Sequence, residues 1–209
     1  MELRTQIAAL FVVAASSALA QGPTLWRFWE PLDGLAEGYT RTLSVDGQGR
    51  LWATHGTAVN EVSVNDGYEI RRVPAPGHFG RIFPGPSESW AVTVDGLFRF
   101  ENGKWVRHPV ALFDGILKVG DYPDLVAVPL GPGRVFLVTA ERLLEYQVDT
   151  GTDSGKVTVL QSATGSSAGR FIQAIPAADG GVWVTTQRGI ARITWSTGGR
   201  TRLCQSSFE

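Results

Sequence analysis

At 209 residues the chain has the length of one ordinary domain. Nineteen Lys+Arg against 20 Asp+Glu leave a net charge of −1, which excludes the basic face of a protein that binds nucleic acid through its phosphates. Hydrophobic residues at 43% and charged residues at only 19% exclude a disordered chain, and 25 Gly, 11 Pro and 7 Trp point to many short strands joined by tight turns.

The chain opens with Arg4, an apolar run from Ile7 to Ala15, and small residues at Ala18 and Ala20. This is the three-part pattern of a signal peptide, residues 1–20, cut after Ala20. The expected destination is the periplasm or the exterior. The apolar run is short of the ~20 residues a spanning helix needs, and no later stretch approaches a membrane span. With Cys204 as the single cysteine, no intramolecular disulfide can form.

Residues 21–209 read as a repeat, preceded by a leading strand at 24–30. Four segments align without gaps around an aromatic anchor: Trp52, Trp90, Phe136 and Trp183, spaced 38, 46 and 47 residues apart. Three residues after each anchor stand His55, Thr93, Thr139 and Thr186. Seven after stand Val59, Leu97, Leu143 and Ile190, and nine after stand Glu61, Arg99, Glu145 and Arg192. A period of about 40–50 residues with β-type patterning predicts β-propeller blades.

In chain order, the first blade spans 39–76. It has an inner run Thr42–Val45, a turn at Asp46-Gly47-Gln48-Gly49, the Trp52 strand and an outer run Tyr68–Val73. The second, 77–110, has Arg81–Phe83, the Trp90 strand, the alternating Leu97-Phe98-Arg99-Phe100 and the polar Lys104–Arg107. The third, 122–162, begins with Leu125–Val128. The fourth, 168–209, begins with Phe171–Ile175 and turns at Asp179-Gly180-Gly181. The fold class is all-β: four-stranded antiparallel blades, about four of them. The anchors are expected to pack sheet against sheet, so that truncating Trp52 or Trp183 costs about 3–5 kcal/mol.

The stretches Asp46–Thr54 and Asp179–Arg192 resemble the two-component regulator propeller repeat, and Asp33-Gly34-Leu35 looks like that family's connector between blades. The resemblance covers about residues 26–195. It is degenerate in the third copy, where Phe136 replaces Trp and Arg142 replaces Gly. It implies the sensory input part of a histidine kinase or related regulator, in a family whose propellers usually close with more blades. That in turn implies an incomplete propeller, a fragment that self-associates or needs a partner propeller chain. No kinase core or helix-turn-helix pattern is present in the sequence.

Candidate chemistry is sparse. His55, His78 and His108 lack zinc-site spacing, and Asp121 and Asp124 sit in a turn-rich linker. No catalytic residue, metal site or cofactor is assigned, and the chain is read as a non-enzyme. The alternatives are a propeller lyase or hydrolase using loop histidines and a metal, and a protein-interaction scaffold. The turns after the anchor strands are the least repetitive positions, which is how regular scaffolds carry recognition. They supply the candidate ligand-binding residues His55, Asp95, Arg142 and Arg188, suited to a small polar molecule or an oligosaccharide. Tyr39, Tyr122 and His78 are candidate stacking residues.

Overall fold

The computed structural model describes residues 27–56, 60–77, 81–110 and 125–195, with the backbone of 201–206. The expected signal peptide at 1–20, Val59, His78, Asp121, Tyr122, Asp124 and the Cys204 side chain lie outside the described residues. A short 3-10 turn, Pro31–Asp33, precedes the strands, and residues 27–30, read from sequence as part of a leading strand, carry none. No helix among the described residues is long and apolar enough to cross a membrane.

Sixteen strands follow among the described residues. Blade 1 comprises β1 Thr40–Val45, β2 Leu51–His55, β3 Glu61–Asn65 and β4 Ile70–Pro74. Blade 2 comprises β5 Arg81–Pro84, β6 Ser89–Thr93, β7 Gly96–Glu101 and β8 Lys104–His108. Blade 3 comprises β9 Val126–Gly131, β10 Arg134–Val138, β11 Arg142–Val148 and β12 Gly155–Ser162. Blade 4 comprises β13 Phe171–Pro176, β14 Val182–Thr186, β15 Gly189–Trp195 and β16 Thr201–Ser206. Each blade is an antiparallel meander with its strands paired in chain order. The molecule is a four-bladed β-propeller.

The strands form where the sequence alternates and stop where it turns. In blade 1 the β1–β2 turn is closed by Asp46, whose carboxylate accepts from the backbone N–H groups of Gln48 and Arg50 at 2.9 and 3.0 Å. Gly49 takes the left-handed conformation, φ 78°, that completes it.

One expected alignment shifts. Trp90, Phe136 and Trp183 pair with Arg99, Glu145 and Arg192, nine residues on, but Trp52 pairs with Val64. The longer turn between β2 and β3 inserts three residues, so Glu61 pairs with Pro74 and does not share the register of Arg99. The gap-free alignment therefore holds in blade 1 only as far as His55.

Three cores join the blades, and each is built the same way. The anchor face of one blade packs on the opposite face of the next. Trp52, Val62 and Val64 meet Ile82 and Ala91. Trp90, Val92 and Leu97 meet Ala127, Leu137, Leu144 and Tyr146. Phe136, Val138 and Leu143 meet Ala174, Val182, Val184 and Ile193. Each of these three anchors also meets an aromatic ring of the following blade edge-on: Phe100 at 5.3 Å from Trp52, Tyr146 at 6.0 Å from Trp90, and Trp195 at 5.9 Å from Phe136.

The fourth anchor is different. Trp183 is 38% exposed, whereas Trp52, Trp90 and Phe136 are at 0–1%. It holds the equivalent register position, but among the described residues no blade covers its face. The expected large cost of truncating Trp183 therefore does not follow for the isolated chain.

Candidate functional site

The repeated position three residues after the anchor has a structural task. Thr93 Oγ1 accepts from the Asp95 N–H at 2.9 Å, closing the β6–β7 turn. Thr139 Oγ1 donates to the Arg142 carbonyl and accepts from the Arg142 N–H. Thr186 Oγ1 donates to the Gly189 carbonyl at 3.0 Å and accepts from the Arg188 N–H at 3.3 Å. A hydroxyl two or three residues before the turn's end thus fixes the backbone and frees the following side chain to vary.

Blade 1 replaces Thr by His55, which is buried, and its Nε2 lies 2.7 Å from Ser63 Oγ. Ser63 also accepts the Ala36 N–H at 2.9 Å, and the Arg72 guanidinium donates to the carbonyls of Gly34 and Leu35. Segment 34–37 is thereby tied down across blade 1. Burial lowers the His55 pKa, against the opposing pull of the Glu37 carboxylate.

Asp95, Arg142 and Arg188 are exposed. They lie at the same end of blades 2, 3 and 4, the end at which the β2-type strands finish and the chain enters each blade. Contacts across that end are local: the Gly56 N–H donates to the Tyr39 carbonyl, and the Arg188 N–H to the Ala168 carbonyl. Among the described residues, the carboxylate of Asp95 and the guanidinium groups of Arg142 and Arg188 form no ion pair. His55 is set apart from these three by its burial. Tyr39 is exposed beside Gly56.

The inner strands β1, β5, β9 and β13 border an open central cleft of about 670 Å3. Its wall is mostly apolar, with Leu43, Val45, Val128 and Ile175, and carries Arg81 and Gln173 as polar groups. The size lies within the range of small-molecule sites. The cleft has no motif in the sequence, because it is made by strand edges from four blades.

Sequence reasoning also missed the acidic clamps. Asp46 Oδ2 accepts from the Trp52 indole N–H at 2.9 Å and from Arg50 Nε at 2.7 Å. Glu88 Oε1 accepts from the Trp90 indole at 2.8 Å and from the Gly133 N–H of blade 3 at 2.9 Å. Glu145 accepts from Arg134 and, across the blade boundary, from the Trp195 indole at 3.0 Å. A carboxylate shortly before an anchor Trp was the available signal in blades 1 and 2.

The described histidines make poor catalytic groups. His55 is engaged with Ser63, and His108 is buried between blades with Nδ1 at 3.1 Å from the Tyr146 hydroxyl. Among the described residues no three His, Cys, Asp or Glu side chains converge to hold a metal ion.

No family model and no curated protein matches the chain. Among solved structures, a streptogramin B lyase is similar at TM-score 0.53 and 15% identity, with coverage of 88% of this chain and 58% of that one. Virginiamycin B lyase from Staphylococcus aureus is similar at TM-score 0.50 and 16% identity, with coverage of 79% and 55%. The extracellular domain described as that of a hybrid two component system from B. thetaiotaomicron gives TM-score 0.45 and 17% identity, with coverage of 78% and 21%. At these identities the likeness is one of fold alone. The chain spans a little over half the length of the lyase structures.

Proposed function

We propose that this chain is an exported, non-catalytic binding module of the sensory kind, which takes a small anionic or hydroxyl-rich ligand at the end of the blades carrying Asp95, Arg142 and Arg188. The observation that carries the reading is the contrast at that end. A repeated Thr fixes each turn, while the side chain that follows it differs from blade to blade and stays exposed and unpaired among the described residues. Arg142 and Arg188 offer bidentate donors to carboxylate, phosphate or vicinal hydroxyls. The inner-strand cleft, lined by Arg81 and Gln173 but by none of Asp95, Arg142 and Arg188, has the volume of a small-molecule site. His55 serves in this reading as the anchor of segment 34–37, and Tyr39 offers a ring for stacking. The resemblance of the repeats to two-component regulator propellers agrees with an input role.

The test is thermal melting of the full chain against uronic acids, phosphorylated sugars and neutral oligosaccharides. A binder at about 100 times its Kd stabilises by about 2.7 kcal/mol. Arg142→Ala and Arg188→Ala are expected to abolish that shift while moving the unliganded stability by less than about 0.5 kcal/mol. If no member of the panel shifts the melt, or if both variants unfold the protein as Trp90→Ala does, the reading is wrong.

A further inference from the structure

The register of the four blades identifies what the exposed ends of the array lack. Ile82, Ala127 and Ala174 pair with the residue after the anchor in blades 2, 3 and 4, and all three are buried against the anchor face of the preceding blade. Leu43 holds the same position in blade 1, paired with Ala53, and is 62% exposed.

The other end mirrors this. Val128 pairs with the anchor Phe136 and is buried against blade 4. Ile175 pairs with the anchor Trp183 in the same way and is 55% exposed. Trp183 beside it is the one exposed anchor, with the Arg192 guanidinium 5.1 Å over its ring. Blade 4 therefore presents an unused anchor face, and blade 1 presents a receiving face whose inner strand, with Leu43 and Val45, is uncovered. No core joins the two within the described chain.

We infer that the Trp183 face of blade 4 docks on the Leu43 face of blade 1 in a second copy of this chain, head to tail. The interface already used three times inside the molecule names the occupant. An anchor face is covered each time by an inner strand of the Ile82, Ala127 or Ala174 kind, and the only such strand left open among the described residues is that of Leu43 and Val45. Two copies joined reciprocally satisfy both ends of both chains. They give a closed ring of eight blades, at the upper end of the usual range for propellers, with a two-fold axis along the channel. The outer part of the receiving face carries Asn65 where Phe100 and Tyr146 stand in blades 2 and 3. The apolar contact is thus concentrated on the inner strands, where Trp183 and Ile175 lie. This inference stands independently of the ligand proposed above.

The experiment is the molar mass of the full chain by light scattering, with two variants. The expected result is a species of twice the chain mass. Ile175→Asp and Leu43→Asp should each convert it to monomer with an unchanged β-sheet circular dichroism spectrum. An equimolar mixture of the two variants should recover a dimer, since one intact anchor face and one intact receiving face remain to pair. A wild-type monomer would overturn the inference. A dimer broken by Ile175→Asp but untouched by Leu43→Asp would also overturn it, because that result means two anchor faces packed on each other. If the single variants lose their β-sheet spectrum, Val45→Ser and Thr185→Asp probe the same two faces with milder changes, and a dimer that survives both overturns it.

Discussion

At the scale of single residues, polar groups at the blade boundaries do as much to fix the fold as the apolar anchors. Asp46 is almost wholly buried, yet its pKa lies below the ordinary carboxylate value. Burial pushes it up, and the hydrogen bonds from Trp52, Arg50 and Gln48 together outweigh burial. Asp46→Ala leaves an indole N–H and two backbone N–H groups without their acceptor. It should cost about 2–3 kcal/mol in urea unfolding, where Asp66→Ala, on an exposed turn, costs far less.

His108 supplies a pH test. Burial, reinforced by Arg99, pushes its pKa down to about 4. The folded state therefore refuses a proton that the unfolded state accepts below about pH 6.5. Stability from this group is complete above pH 6.5 and falls as the pH drops toward 4, by roughly 2–3 kcal/mol. His108→Phe should flatten that part of the profile in denaturant melts at pH 7, 5 and 4. An unchanged slope would show that His108 is not its source. The anchors themselves were legible in the sequence from spacing alone. Their unequal burial was not, because burial of Trp183 depends on a neighbouring blade and no local pattern encodes a neighbour.

At the scale of elements, the blades are spaced by contacts between successive β1–β2 turns. The Gly47 N–H donates to the Gly85 carbonyl at 3.2 Å, and a Cβ on Gly47 would lie 2.5 Å from the Pro86 backbone. A Cβ on Gly85 would overlap the Pro129 ring of blade 3. Gly85→Ala should therefore push blades 2 and 3 apart at that end, at a cost of about 1–3 kcal/mol by thermal melt. Gly103→Ala serves as the control, since a Cβ there meets nothing within 4 Å and only its φ of 81° is strained. The strands, their order and the four-blade organisation were readable from alternation, turn residues and the repeat. The blade 1 register was not. A three-residue insertion between β2 and β3 leaves the apolar pattern plausible in either frame, and only the pairing of Trp52 with Val64 decides it. The central cleft was equally hidden, since it is assembled from edges of strands far apart in sequence.

At the scale of the whole molecule, three equivalent interfaces join the four blades among the described residues, and the proposed dimer would make a fourth from the two remaining faces. Trp52→Ala or Trp90→Ala should cost about 3–5 kcal/mol at any protein concentration through the cavity left behind. Trp183→Ala should cost little in dilute protein and, if its face is filled by the proposed association, gain importance as concentration rises. Hydrogen exchange measured strand by strand over a wide dilution series tests this most directly. The prediction is that β1 and β14 exchange faster than β6 and β10 in dilute protein and approach their protection as concentration increases, while β6 and β10 stay constant. Protection of β1 and β14 that is indifferent to concentration, and lower than that of the inner blades throughout, would contradict it.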